Sequence, residues 1–83
     1  MKFYINTQKD FTEIYYSLMD GNGEQKWFGT ARTFPGYEWE IDVVGQAQQY
    51  RDTRNEAMEF LSGQMLAFAI ENKSGRDVQV IAV

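Results

Sequence analysis

Glu38, Glu40 and Asp42 occupy alternate positions in the run from Tyr37 to Val44. On an extended strand, alternate side chains leave the same face about 7 Å apart. Two carboxylates at such a spacing meet the geometry of glycoside hydrolysis, and several together are the donor type that holds a hard cation. An open strand face gives a substrate no enclosure, however, and so short a chain has little material to build a deep pocket around it. A sheet face turned to water, or a protein-binding surface, accounts for the same residues without catalysis.

Other reactive groups are sparse. The chain has no cysteine and no histidine, so it lacks a thiol nucleophile, the usual general base and the commonest metal ligand. No metal-ligand cluster and no Ser–His–Asp set can be assembled. Gly21-Asn22-Gly23 lacks the longer glycine spacing and the following Lys-Ser/Thr pair of a phosphate loop. We expect a protein that is not an enzyme and carries no cofactor and no metal.

Tyr15 and Trp27 form a second constellation. Both fall on the strand face opposite the predicted core, beside the acidic ladder, and large aromatic side chains on such a face mark interaction sites. Gly29 and Ala31 are expected next to them, leaving a shallow depression. Leu66 and Ile70 form a third. They lie four residues apart on a predicted helix, away from its main apolar stripe, where they either dock a partner or are covered by a terminal strand. Arg32, Arg51, Arg54 and Arg76 are a weak nucleic-acid signal. A phosphate-binding surface needs a positive patch, and the net charge of −4 weighs against one.

These residues need elements to position them. The 83 residues make one domain, 1–83, with a thin core. An aromatic fraction of 16% is too high for a disordered chain. Lys2 to Asn6 reads as a strand. Thr12 to Met19 alternates, with Ile14, Tyr16 and Leu18 on one side. Asp20-Gly21-Asn22-Gly23 closes a hairpin onto Gln25 to Phe34. Phe34-Pro35-Gly36-Tyr37 fits a type II turn leading into Tyr37 to Val44. The Pro-Gly turn sets Thr30 opposite Ile41 and Phe28 opposite Val43, and a three-residue Gly-Asn-Gly loop sets Tyr16 opposite Phe28 and Leu18 near Lys26. Ile14, Tyr16, Leu18, Phe28, Trp39, Ile41 and Val43 then form the core face.

Thr53 followed by Glu56 fits a capping box. The helix it opens runs to about Lys73, with Gly75 just past its end. Ala57, Met58, Leu61, Met65 and Phe68 form its apolar stripe, and Gly63 marks a bend or a close backbone approach. Asp77 to Val83 is a last strand, pairing at an edge with Lys2–Asn6. The predicted fold is α+β, an antiparallel sheet (a three-strand meander plus terminal strands) packed on one face by a single helix.

The acidity is local. Residues 1–34 balance, with Lys2, Lys9, Lys26 and Arg32 against Asp10, Glu13, Asp20 and Glu24, while 35–50 carry Glu38, Glu40 and Asp42 with no basic residue. This pattern points to a protein partner with a basic surface, bound through Tyr15, Trp27, Glu38, Glu40 and Asp42, with Leu66 and Ile70 as a second interface. That is the general type of the small phage or mobile-element proteins, anti-CRISPR or anti-restriction, that block nucleic-acid-handling host defence proteins. The alternatives are a small nucleic-acid-binding module and a self-associating structural protein, for instance a homodimer. With no membrane-length apolar run and no apolar leader, the expected location is cytoplasmic and the expected partners include no membrane.

Overall fold

The computed structural model describes residues 1–18, 23–34, 36–72 and 77–83. Its elements run β1 (Lys2–Gln8), β2 (Phe11–Ser17), β3 (Lys26–Arg32), β4 (Trp39–Val43), β5 (Gln49–Arg51), α1 (Arg54–Glu71) and β6 (Gln79–Ala82). The six strands form one sheet in the order β5-β4-β3-β2-β1-β6. Neighbours from β1 to β5 are antiparallel. β6 instead lies parallel to β1, so the sheet is mixed and the expectation of a purely antiparallel one is corrected. The physical reason is the connection. After β5 the chain crosses the sheet as α1 and enters the far edge running in the same direction as β1, the return that a helical crossover permits.

Alternation builds the core. Phe3, Ile14, Phe28, Ala31, Trp39, Ile41 and Val43 turn inward from the strands and meet Ala57, Leu61, Met65 and Ala69 of α1. The rings of Phe28 and Phe68 pack edge to face at 5.3 Å, and Phe68 also meets Tyr16 at 4.8 Å, geometries the ring quadrupole favours. The backbone of α1 runs over β3, β4 and β5. The opposite face of the sheet has no layer over it among the described residues.

The register differs from the expected one because β3 is bulged. Ile14 lies opposite Gly29 but Tyr15 lies opposite Trp27, leaving Phe28 as an extra residue. A bulge breaks the two-residue period. Trp27 faces out, and Phe28, Gly29 and Ala31 all sit on the helix side, buried. On the other edge of β3, Gly29 pairs with Val43, Thr30 with Asp42 and Ala31 with Ile41, one residue from the predicted pairing. Tyr16 lies opposite Lys26 and Leu18 is exposed, so Leu18 leaves the predicted core. The depression expected from Gly29 and Ala31 beside Trp27 does not form, since both residues serve the core instead.

The helix starts as its sequence implies. Thr53 has an extended backbone, and its Oγ1 accepts from the Glu56 N–H at 3.2 Å while the hydroxyl donates to Glu56 Oε1 at 2.9 Å. Asn72 caps the other end, with its Nδ2 donating to the Phe68 carbonyl at 2.8 Å. α1 therefore ends just before the predicted Lys73; Lys73 and Gly75 lie outside the described residues. Gly63 has no neighbour within 4 Å of where a Cβ would stand, so it is not a close-approach site. Gly36, at a φ of +88°, sits in a turn closed by Tyr37 N–H to the Phe34 carbonyl at 2.9 Å, as the type II reading requires of its third residue. Pro35 lies outside the described residues, as does the Asp20–Asn22 part of the first hairpin.

Candidate functional site: the uncovered sheet face

The outward residues of the sheet line up across the strands in rows. One row is Ile81, Tyr4, Tyr15 and Trp27, each paired with the next. The next is Asn6, Glu13, Thr30 and Asp42. A third is Gln8, Phe11, Arg32, Glu40 and Tyr50. Side chains directly opposite in a sheet stand close enough to interact, so the first row is a continuous apolar and aromatic band over four strands. Trp27 keeps 38% of its surface exposed, although it is large enough that a core would normally claim it.

Charge is set out on this face with partners. Glu40 meets Arg32, Oε2 to Nε 3.4 Å. Asp42 accepts from Gln48 Nε2 at 3.2 and 3.3 Å, and the Gln48 amide oxygen in turn accepts from the Tyr50 hydroxyl. Glu38 is exposed and precedes β4. Glu40 and Asp42 keep alternate positions on this face, each with its own partner. Glu13 and Asp42 flank Thr30 on its two sides, about 10 Å apart by strand spacing. Among the described residues no group of three or more acidic side chains is placed to hold a metal ion. The Tyr15 hydroxyl has its pKa raised above 10.0, first by hydrogen bonding to the Glu13 side chain, then by loss of solvation and by that carboxylate's charge.

Of the predicted site residues, Tyr15, Trp27, Glu40 and Asp42 come together here, and Glu38 stands at the margin. Sequence reading missed Tyr4, Glu13 and Ile81. The signal for Glu13 was its place two residues before Tyr15 on the same strand face. Tyr4 and Ile81 needed the pairing of the terminal strands. Leu66 and Ile70 lie on the far side of α1, 56% and 60% exposed. The terminal strand pairs with β1 and does not cover them.

A cleft of about 330 Å³ opens between α1 and the β4 end, lined by Phe28, Val43, Phe68, Gln46, Gln64 and Glu71 among others. Among its described lining residues Glu71 alone is titratable. Of the predicted arginines, Arg76 lies outside the described residues, and Arg32 and Arg51 stand apart. Arg32 is on the open sheet face, while Arg51 reaches over the Phe60 ring on the helix side, 4.6 Å from its centroid. Among the described residues no helix is long and apolar enough to cross a membrane. Comparison with protein-family models, with curated proteins and with solved structures finds no match.

Proposed function

We propose that this protein acts by binding rather than by catalysis, and that the uncovered sheet face is where it holds a protein partner with a basic surface. The observation that carries this reading is the row Ile81–Tyr4–Tyr15–Trp27 beside Glu13 and Asp42. Aromatic side chains supply contact area at small entropic cost and are enriched in binding hot spots. A lysine or arginine of the partner, placed over Thr30, is drawn by carboxylates on both sides and lies next to the Trp27 ring, which attracts cations through its face. The net charge of −4 speeds encounter with such a partner. A nucleic-acid-handling protein presents that kind of surface. Occupying it in place of phosphates is the mode of an anti-CRISPR or anti-restriction type of inhibitor made by a phage or mobile element. The scatter of Arg32 and Arg51 over opposite sides gives less support to direct binding of nucleic acid.

The test is affinity capture with the wild type beside Trp27→Ala, the Glu13→Lys/Asp42→Lys double variant and, as a remote control, Leu66→Glu. The reading expects capture of a nucleic-acid-binding protein that is released by salt, lost with the first two variants and kept with the third. Capture that survives both face variants places the contact elsewhere and ends the proposal.

A further inference from the structure

The two edges of the sheet differ. β5 is three residues long and carries Arg51, and short length and charge are the usual protections of an edge against pairing with another chain. β6, four residues long, has no charged residue. Gln79-Val80-Ile81-Ala82 is regular, free of charge, proline and bulge, and its Val80 and Ile81 are 58% and 37% exposed. α1 stops short of it, since the helix backbone runs over β3, β4 and β5.

We infer that β6 pairs antiparallel with β6 of a second copy of this chain across a two-fold axis at Ile81. The backbone sets this register. Gln79 N–H donates to the Met1 carbonyl at 3.0 Å and Val83 N–H to the Ile5 carbonyl at 2.8 Å. Odd-numbered residues of β6 thus spend their backbone groups on β1, and Val80 and Ala82 point theirs at the free edge. In an antiparallel pair, residues that exchange both bonds alternate with pairs that exchange none. Val80 of each copy exchanges both bonds with Ala82 of the other, and the two Ile81 side chains meet in the closer, non-bonded pair between them.

The occupant is a second copy because the edge complements itself. Ile81 meets Ile81 and Val80 meets Ala82, with no like charges opposed, in a protein whose net charge of −4 sets copies against one another elsewhere. Pairing through β6 leaves only the protected β5 edges outermost, so the assembly closes at two copies and does not grow. The aromatic row then continues through the two Ile81 residues from Trp27 of one copy to Trp27 of the other. This inference does not depend on the identity of the protein partner.

Sedimentation velocity across a concentration range up to the order of 100 µM is the first measurement, and it is expected to show a single-chain to two-chain equilibrium. Val80→Pro removes a donor at the free edge and none from the β1 pairing, a place where proline is tolerated. It is expected to sediment as one chain with an unchanged circular dichroism spectrum. Should that variant fail to fold, cysteine pairing keeps the test, because the chain has no native thiol. Ile81→Cys sets two sulfurs across the axis with Cα atoms about 4.5 Å apart, inside disulfide range. Gln79→Cys on the same face sets them about 13 Å apart. Mild oxidation is expected to link the first at least tenfold faster than the second. One chain at every concentration, a dimer that survives Val80→Pro, or equal linking of the two cysteine variants overturns the inference.

Discussion

Gly29 sits so close to β4 that a Cβ on it would stand 2.7 Å from the Asp42 carbonyl oxygen and 3.6 Å from Leu61 Cδ2. The contact is with backbone, which cannot swing aside as a side-chain tip can. The missing side chain is what lets the bulged strand turn both Phe28 and Gly29 toward the helix while keeping the ladder to Val43. Gly29→Ala is therefore expected to destabilise the fold by about 1–3 kcal/mol, the usual cost of overpacking. In a domain of this size that lowers the melting temperature by about 4–8 °C per kcal/mol, read by thermal unfolding.

Gly63 presents the opposite case. It lies inside α1 with open space where a Cβ would go. Alanine loses less backbone freedom on folding and is the better helix former. Gly63→Ala is expected to raise stability by about 0.5–1 kcal/mol in urea unfolding, with the slope unchanged.

Thr53 holds the first turn of α1 through Glu56, by backbone and side chain. Thr53→Ala leaves that N–H without its partner and is expected to cost about 0.5–2 kcal/mol. Thr53→Ser keeps the hydroxyl and is expected to recover most of the loss.

Much of this was legible in the chain. The alternation of Ile14 with Tyr16 and of Trp39, Ile41 and Val43 identified inward faces, and the Thr53–Glu56 pair located the helix start. Tyr15, Trp27, Glu40 and Asp42 were assigned to one face, which is where they stand. The bulge was not legible. Trp27 and Phe28 are both large and aromatic, and glycine after them shows no facing preference, so nothing local says that the period breaks there. β5 was missed because Gln49-Tyr50-Arg51 is short and polar. The direction of β6 was missed because a strand's own sequence does not state whether its neighbour runs with it or against it; only the crossover fixes that.

The pairing of Arg32 with Glu40 tempers the acidity of the open face. The pair is exposed, with side chains 54% and 34% accessible, and such pairs contribute about 0–1 kcal/mol. Arg32→Gln is accordingly expected to leave the unfolding midpoint nearly unchanged while freeing the Glu40 charge. If the open face meets a basic partner, the same variant associates faster than wild type and its rate falls more steeply with salt, which stopped-flow mixing at several ionic strengths reads directly. A slower association would mean that Arg32 itself touches the partner.

Tyr15 offers a probe of the face that needs no partner. Its pKa is raised, first by hydrogen bonding toward the Glu13 side chain, then by loss of solvation and by that carboxylate's charge, all of which favour the protonated phenol. In the unfolded chain the phenol ionises near 10.0, and in the folded protein it holds its proton to higher pH. Between those two values the unfolded state binds fewer protons than the folded one, so stability falls as pH rises. The stabilising contribution is fully present below the unfolded pKa and disappears as pH passes the folded one. Phenolate absorbance, taken as the difference between wild type and Tyr15→Phe, is expected to show Tyr15 ionising later than an ordinary tyrosine. Glu13→Gln removes the charge and is expected to bring that titration back toward 10.0. If Tyr15 titrates normally in the wild type, the Glu13 carboxylate does not act on the phenol in solution, and Glu13 is left to meet a partner's cation.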